Sequence, residues 1–271
     1  MFPLHDDNPT EIFPVVTVLL LGLTGAAWWF LQGGGLSTPA MVGSVCAFGA
    51  IPAEVIAWWG AVAGGPDGGF GAPGGPSGAM APGDGGPCRL GGLTWQALFT
   101  SMFMHGGWMH LIGNLWFLWI FGNNVEDSMG HLRFVVFYLL TGLAAAMAHI
   151  WTDPSSTVPM VGASGAISGV MGAYVVLYPR ARIDTLFWFL FFIRVVPLPA
   201  WVMLGYWMLI QFAGSAATAV GGGGGVAYGA HIGGFVAGVV LIFVFRNPKL
   251  VAAKRHGVVL QRHEIGHGGW W

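Results

Sequence analysis

Long stretches of this chain carry no charge, and this constrains its fold more than any other feature of the sequence. Phe13 to Leu31 gives 19 residues without a charged side chain, close to the roughly 20 that an α-helix needs to cross the hydrocarbon core of a bilayer. Five further apolar runs follow: Gly106 to Gly122, Leu132 to Ile150, Val161 to Tyr178, Trp201 to Ala217 and Val226 to Phe245. Charged residues make up only 8% of the chain, and its mean hydropathy is +0.69. A soluble domain carries roughly 25% charged residues, so this chain cannot cover a water-facing surface. It reads as an all-α polytopic membrane protein, a bundle of six transmembrane helices with the lipid bilayer as its surroundings. A net charge of -1 and the lack of a basic patch outside loops and tail give no sign of a nucleic-acid partner.

The segments between the runs define the organisation. Residues 1–12 read as a polar N-terminal tail, 13–245 as the six-span domain, and 246–271 as a polar C-terminal tail. The first residues, MFPLHDDNPTEIF, lack a positive n-region and a cleavage site, so the first run is expected to be retained. Met41 to Val62 is broken by Pro52 and Glu54 and suits the membrane interface. Residues 64–87 form a turn-rich or disordered Gly/Pro insert, and Leu93 to His105 returns the chain to the membrane. The polar cluster Asn123 to Asp127 is expected to end the second span. Leu186 to Ile193 is too short to cross and reads as an interfacial elbow, and the glycines from Gly221 to Gly225 read as a hinge. Cys46 and Cys88 fall in one long connection and fit either a disulfide or two free thiols.

Orientation follows from the basic residues. With six spans, nine of the ten Lys and Arg side chains fall on the side that holds both termini, and only Arg89 falls opposite. Positive loops face the cytoplasm. This places His110, Asn114, Ser164 and His231 in the outer parts of three separate spans, at one depth, although none of them was used to set the topology.

Those four residues carry the candidate chemistry. Ser164 lies among small residues in VGASGAISGVMGAY, and a lone hydroxyl needs a base and an oxyanion site to act as a nucleophile. His110 and Asn114 are four apart and share a helix face. With the Ser164 backbone N–H they could donate to an oxyanion; the plainer reading makes them interhelical glue. His231 could take the serine proton and return it to a leaving amine; the plainer reading is a satisfied core histidine. No Asp or Glu lies in any expected span, so a carboxylate to orient the imidazole is lacking and a Ser–His dyad is expected. The same lack argues against an aspartyl protease. Gly165, Gly169 and Ala173 in one span, and Gly234 and Gly238 in another, would let two helices approach closely enough to bring His231 to Ser164. His263 to His267 matches H-E-x-x-H, but its glycine-rich tail setting disfavours the helix a zinc site requires. No cofactor or metal is expected. His105 and His149 read as interfacial histidines.

Three motifs, HGGWMHLIGN (His105 to Asn114), GASGA (Gly162 to Ala166) and AHIGG (Ala230 to Gly234), resemble in order and placement those of the rhomboid family of intramembrane serine proteases, in its six-span bacterial form. The resemblance spans Trp95 to Phe245. It implies Ser164 as nucleophile, His231 as base and an oxyanion site from His110, Asn114 and the Ser164 amide. It also implies a partly embedded hairpin between the first two spans, and gating of substrate access by span five and its following loop. Substrates would be transmembrane helices cut near the outer face of a bacterial inner membrane. Two positions depart from the family pattern: Trp95 is followed by Gln96 rather than Arg, and Ser168 stands where some members place a Tyr that stacks on the histidine. How His231 is held is therefore open. A non-catalytic relative that binds transmembrane helices is a second reading, which the presence of both Ser164 and His231 disfavours. A small transporter or channel is a third, which does not explain the common depth of the four polar residues.

Overall fold

The structure is a computed structural model, and it describes residues 1–62, 88, 94–189, 192–219 and 226–256. The Gly/Pro insert, the glycine run after 219 and the H-E-x-x-H tail lie outside the described residues. The expected spans appear as α1 (Val15–Phe30), α5 (Trp108–Met129), α6 (His131–Thr152), α7 (Ser164–Leu177), α8 (Ala200–Ala219) and α9 (Tyr228–Phe245). Between the first two lie α2 (Thr38–Phe48), α3 (Pro52–Val62) and the single turn α4 (Ala97–Thr100), and α10 (Pro248–His256) follows the last. Cys46 on α2 is bridged to Cys88, so the disulfide alternative is the one realised. By length and composition α6, α8 and α9 suffice to cross a membrane, while α1 and α7 are shorter apolar helices.

The centre of the bundle is α7. From Gly165 to Tyr174 every residue is buried, between α5, α6 and α9. Glycines set the spacing. A Cβ on Gly169 would lie 2.4 Å from the Thr141 Cβ of α6. On the other flank, a Cβ on Gly234 would lie 2.1 Å from the Gly165 carbonyl oxygen, and one on Gly238 would lie 1.9 Å from that of Gly169. The buried positions of α9 are Ala230, Gly234, Gly238 and Ile242, one stripe at four-residue spacing. Helices approach backbone to backbone along it.

Three expectations change. The polar cluster Asn123 to Asp127 does not end α5, which continues to Met129 with Glu126 and Asp127 buried. The reason is that these side chains bind the N-terminal segment. The Glu126 carboxylate accepts from the amides of Val16 (2.9 Å) and Thr17 (2.8 Å) and from the Thr17 hydroxyl (2.7 Å), satisfying donors at the N-terminus of α1. It also pairs with His131. Asp127 accepts from the amides of Glu11 and Ile12.

The expected N-terminal tail instead begins with a strand, β1 (Phe2–Asp6). The interfacial elbow is a hairpin, β2 (Arg182–Phe189) and β3 (Phe192–Pro199), and the three strands form one antiparallel sheet in the order β1-β2-β3. Asp6 pairs with Ile183 and Phe2 with Leu186. Asp6 is anchored in the bundle, accepting from the Tyr174 hydroxyl (2.6 Å) and the Asn124 amide (2.9 Å). The fold remains mostly helical, with this small sheet beside α5 and α8.

Two predictions follow from these contacts. Glu126→Ala strands the α1 amides and should cost about 2–3 kcal/mol; unfolding in mixed detergent will read the loss, and Glu126→Gln should recover part of it. Gly238→Ala places a methyl against the Gly169 carbonyl and should cost about 1–3 kcal/mol by overpacking, with the α7–α9 separation increasing as read by cysteine cross-linking between the two helices.

Candidate active site

Ser164 is the first residue of α7, and its amide is among the N–H groups that a helix start leaves without an intrahelical partner. The stripe on α9 brings His231 opposite. Its Nε2 lies 2.8 Å from the Ser164 hydroxyl oxygen, across 67 residues of sequence. The structure thus brings together the two residues that the sequence placed at one depth in different spans.

His110 sits in the first turn of α5. The Gly106 amide donates to its Nδ1 (3.3 Å), which places the ring proton on Nε2. That nitrogen faces Gly162, whose φ is +116°; a Cβ there would lie 2.6 Å from His110 Nε2 and 3.7 Å from Asn114 Nδ2. Any side chain at 162 would fill the space beside these two donors, and the backbone conformation itself favours glycine. Asn114 is buried and donates from Nδ2 to the His110 carbonyl (2.9 Å), a bond that holds the amide and leaves its second N–H over.

A large cavity opens beside these polar groups. A cavity of about 1350 Å³ is lined by His110, Ser164 and His231 together with Trp108, His149 and Thr218. His105 packs its ring edge-on to His110, with centroids 5.0 Å apart. Its backbone is locked by Gln32, which donates to the His105 carbonyl (2.7 Å) and accepts from its amide (2.8 Å). Burial, with the nearby His110 ring adding, pushes the His105 imidazole down to about 4. It is therefore neutral at ordinary pH and brings no cation to the site.

Two residues near His231 were not singled out by the sequence. Gln211 of α8 places Oε1 2.7 Å from His231 Nδ1. Trp207, one turn earlier, sets its ring 5.7 Å from the imidazole at 37°. Ser168, where a stacking aromatic could have stood, instead turns back and donates to the Ser164 carbonyl (2.6 Å). The sequence did carry a signal for Gln211, the one side-chain amide in an otherwise apolar run. The acidic residues of α5 lie at the other end of the bundle, toward the N-terminus of α1, and none reaches His231.

Comparison with known proteins identifies the family. The Rhomboid domain family profile matches residues 92–248. The chain is similar to the mitochondrial rhomboid protein 1 of Saccharomyces cerevisiae, 32% identical over 148 residues, covering 53% of this chain and 40% of that protein. It is 40% identical over 88 residues to the rhomboid protease GluP of Bacillus subtilis, covering 32% of this chain and 17% of GluP. It is 25% identical over 166 residues to the rhomboid protease AarA of Providencia stuartii, covering 56% of each. The chain spans little more than half, or less, of the length of each of these curated relatives: 40%, 17% and 56%. The family profile covers more than half of this chain and takes in α5 to α9 with all four candidate residues: the protein is an integral membrane protein of the rhomboid family.

Proposed function

We propose that this protein is an intramembrane serine endopeptidase acting through a Ser164–His231 dyad on transmembrane-helix substrates. The observation that carries the reading is the 2.8 Å contact between Ser164 Oγ and His231 Nε2 at the edge of a large cavity. In the forward step Ser164 Oγ attacks the scissile carbonyl carbon while His231 Nε2 takes its proton. The oxyanion is stabilised by the Ser164 amide, His110 Nε2–H and the second Asn114 N–H. His231 then gives its proton to the leaving amine. Water, activated by the same nitrogen, hydrolyses the acyl-enzyme and restores the serine. No metal or cofactor takes part in this scheme.

The chain crosses the bilayer six times in this reading, with both termini cytoplasmic and the site toward the outer face of a bacterial inner membrane. The excess of basic residues at the other end of the bundle supports the orientation. The length of α7 supports the depth. Its 14 residues span about 21 Å, less than the roughly 30 Å hydrocarbon core. With its C-terminus at the cytoplasmic boundary, Ser164 lies roughly 9 Å below the outer one. Substrates would be opened by residues that weaken helix, since a peptide bond within a helix is shielded from attack.

A fluorescent fluorophosphonate tests the dyad on detergent-purified protein. Wild type should label, Ser164→Ala should not, and His231→Ala should lose nearly all labelling while remaining folded. Asn114→Ala should lower turnover of a transmembrane-helix reporter about 10²-fold with little change in KM. Labelling that survives in Ser164→Ala would overturn the proposal.

A further inference from the structure

We infer that Gln211 is the positioning residue of the dyad, its neutral amide oxygen fixing His231 in the one tautomer that can accept the serine proton. The inference rests on the reading of Ser164 and His231 as nucleophile and base.

An amide oxygen can only accept a hydrogen bond. With Gln211 Oε1 2.7 Å from His231 Nδ1, that nitrogen must be the protonated one. Nε2 is then unprotonated and turns its lone pair to the Ser164 hydroxyl at 2.8 Å. The opposite amide orientation would present N–H to Nδ1, forcing the proton onto Nε2 and blocking proton transfer. A second contact selects between the two. Gln211 Nε2 donates to the Trp207 carbonyl one turn earlier, at 3.3 Å; flipping the amide would set oxygen against oxygen there.

The surroundings fit a group held for this purpose. Gln211 is 6% exposed. The other buried residues of α8 are Ala200, Met203 and Leu204, all in its first turns at the far end from the site. Beyond them Gln211 is the single buried side chain of that helix. Trp207 covers the imidazole face and stacks on Phe235 of α9, with centroids 6.4 Å apart at 28°. Thus Trp207 and Gln211, with Gly214 packed against the Tyr228 ring, join α8 to α9 at the end that holds His231. The amide supplies the direction that a triad carboxylate would supply, without its charge.

The test compares the full-length wild type with Gln211→Leu, which keeps the bulk and removes the acceptor, and Gln211→Glu, which keeps an acceptor. The probe is the fluorophosphonate, whose labelling separates a maximal rate from a half-saturating concentration. Gln211→Leu should lower the maximal rate about 10- to 100-fold with the half-saturating concentration unchanged. Gln211→Glu should recover most of that rate, with the acidic limb of its pH profile moved to higher pH. Nitrogen NMR of the His231 ring should show the Nδ1–H tautomer in wild type and a mixture in Gln211→Leu, and thermal melts establish that all three are folded. Labelling of Gln211→Leu at the wild-type rate would overturn the inference. So would equal slowing in both variants with an unchanged pH profile, which would mean helix packing alone. A wild type that does not label would take down the dyad itself, a different failure from either of these.

Discussion

The contact between Ser164 and His231 depends on how closely α9 lies against α7. Lipid tails are as apolar as a helix surface, so no hydrophobic force drives two such helices together. What remains is dispersion between backbones, and it is strong only at contact distance. Gly234 and Gly238 allow that contact by leaving room for the carbonyls of Gly165 and Gly169. The stripe they belong to ends at Ala230, next to His231, so the geometry that packs the helices also sets the reach between imidazole and hydroxyl.

The polar chemistry of the bundle is divided between its two ends. At one end the carboxylates Asp6, Glu126 and Asp127 are buried, each with backbone or side-chain donors from a different segment, and together they seat the N-terminal residues and the start of α1. At the other end Ser164, His231, Gln211, His110 and Asn114 meet through a hydroxyl, imidazoles and amides. A charge buried without a partner is costly, and the fold keeps its ions where several donors converge on them.

Much of this was legible in the sequence. The charge-free runs gave the helices, and the polar residues within them gave His110, Asn114, Ser164 and His231, because a polar group in such a run needs a reason to be there. The same logic should have flagged Gln211, but nothing local tells which neighbour an amide on a helix will meet 20 residues away. The polar cluster after Gly122 reads as a helix end because charge at the limit of an apolar run is the usual stop. Its partners, Asp6, Val16 and Thr17, lie more than 100 residues earlier. The sheet was missed for a similar reason. Its pairing joins residues 2–6 to residues 183–186, and no periodicity within either segment reports that.

The neutral amide on α8 also bears on how such a protein is made. Each helix must first partition from the translocation machinery into lipid as a separate segment, before any partner can satisfy its polar groups. An aspartate near the middle of a helix costs about 3 kcal/mol in that step, and α8 is the least apolar of the three helices among the described residues that are long and apolar enough to span. A glutamine keeps the segment insertable and still offers, once α9 arrives, the acceptor that orients the ring. The proposed dyad can therefore be assembled after insertion without an acidic residue in α8.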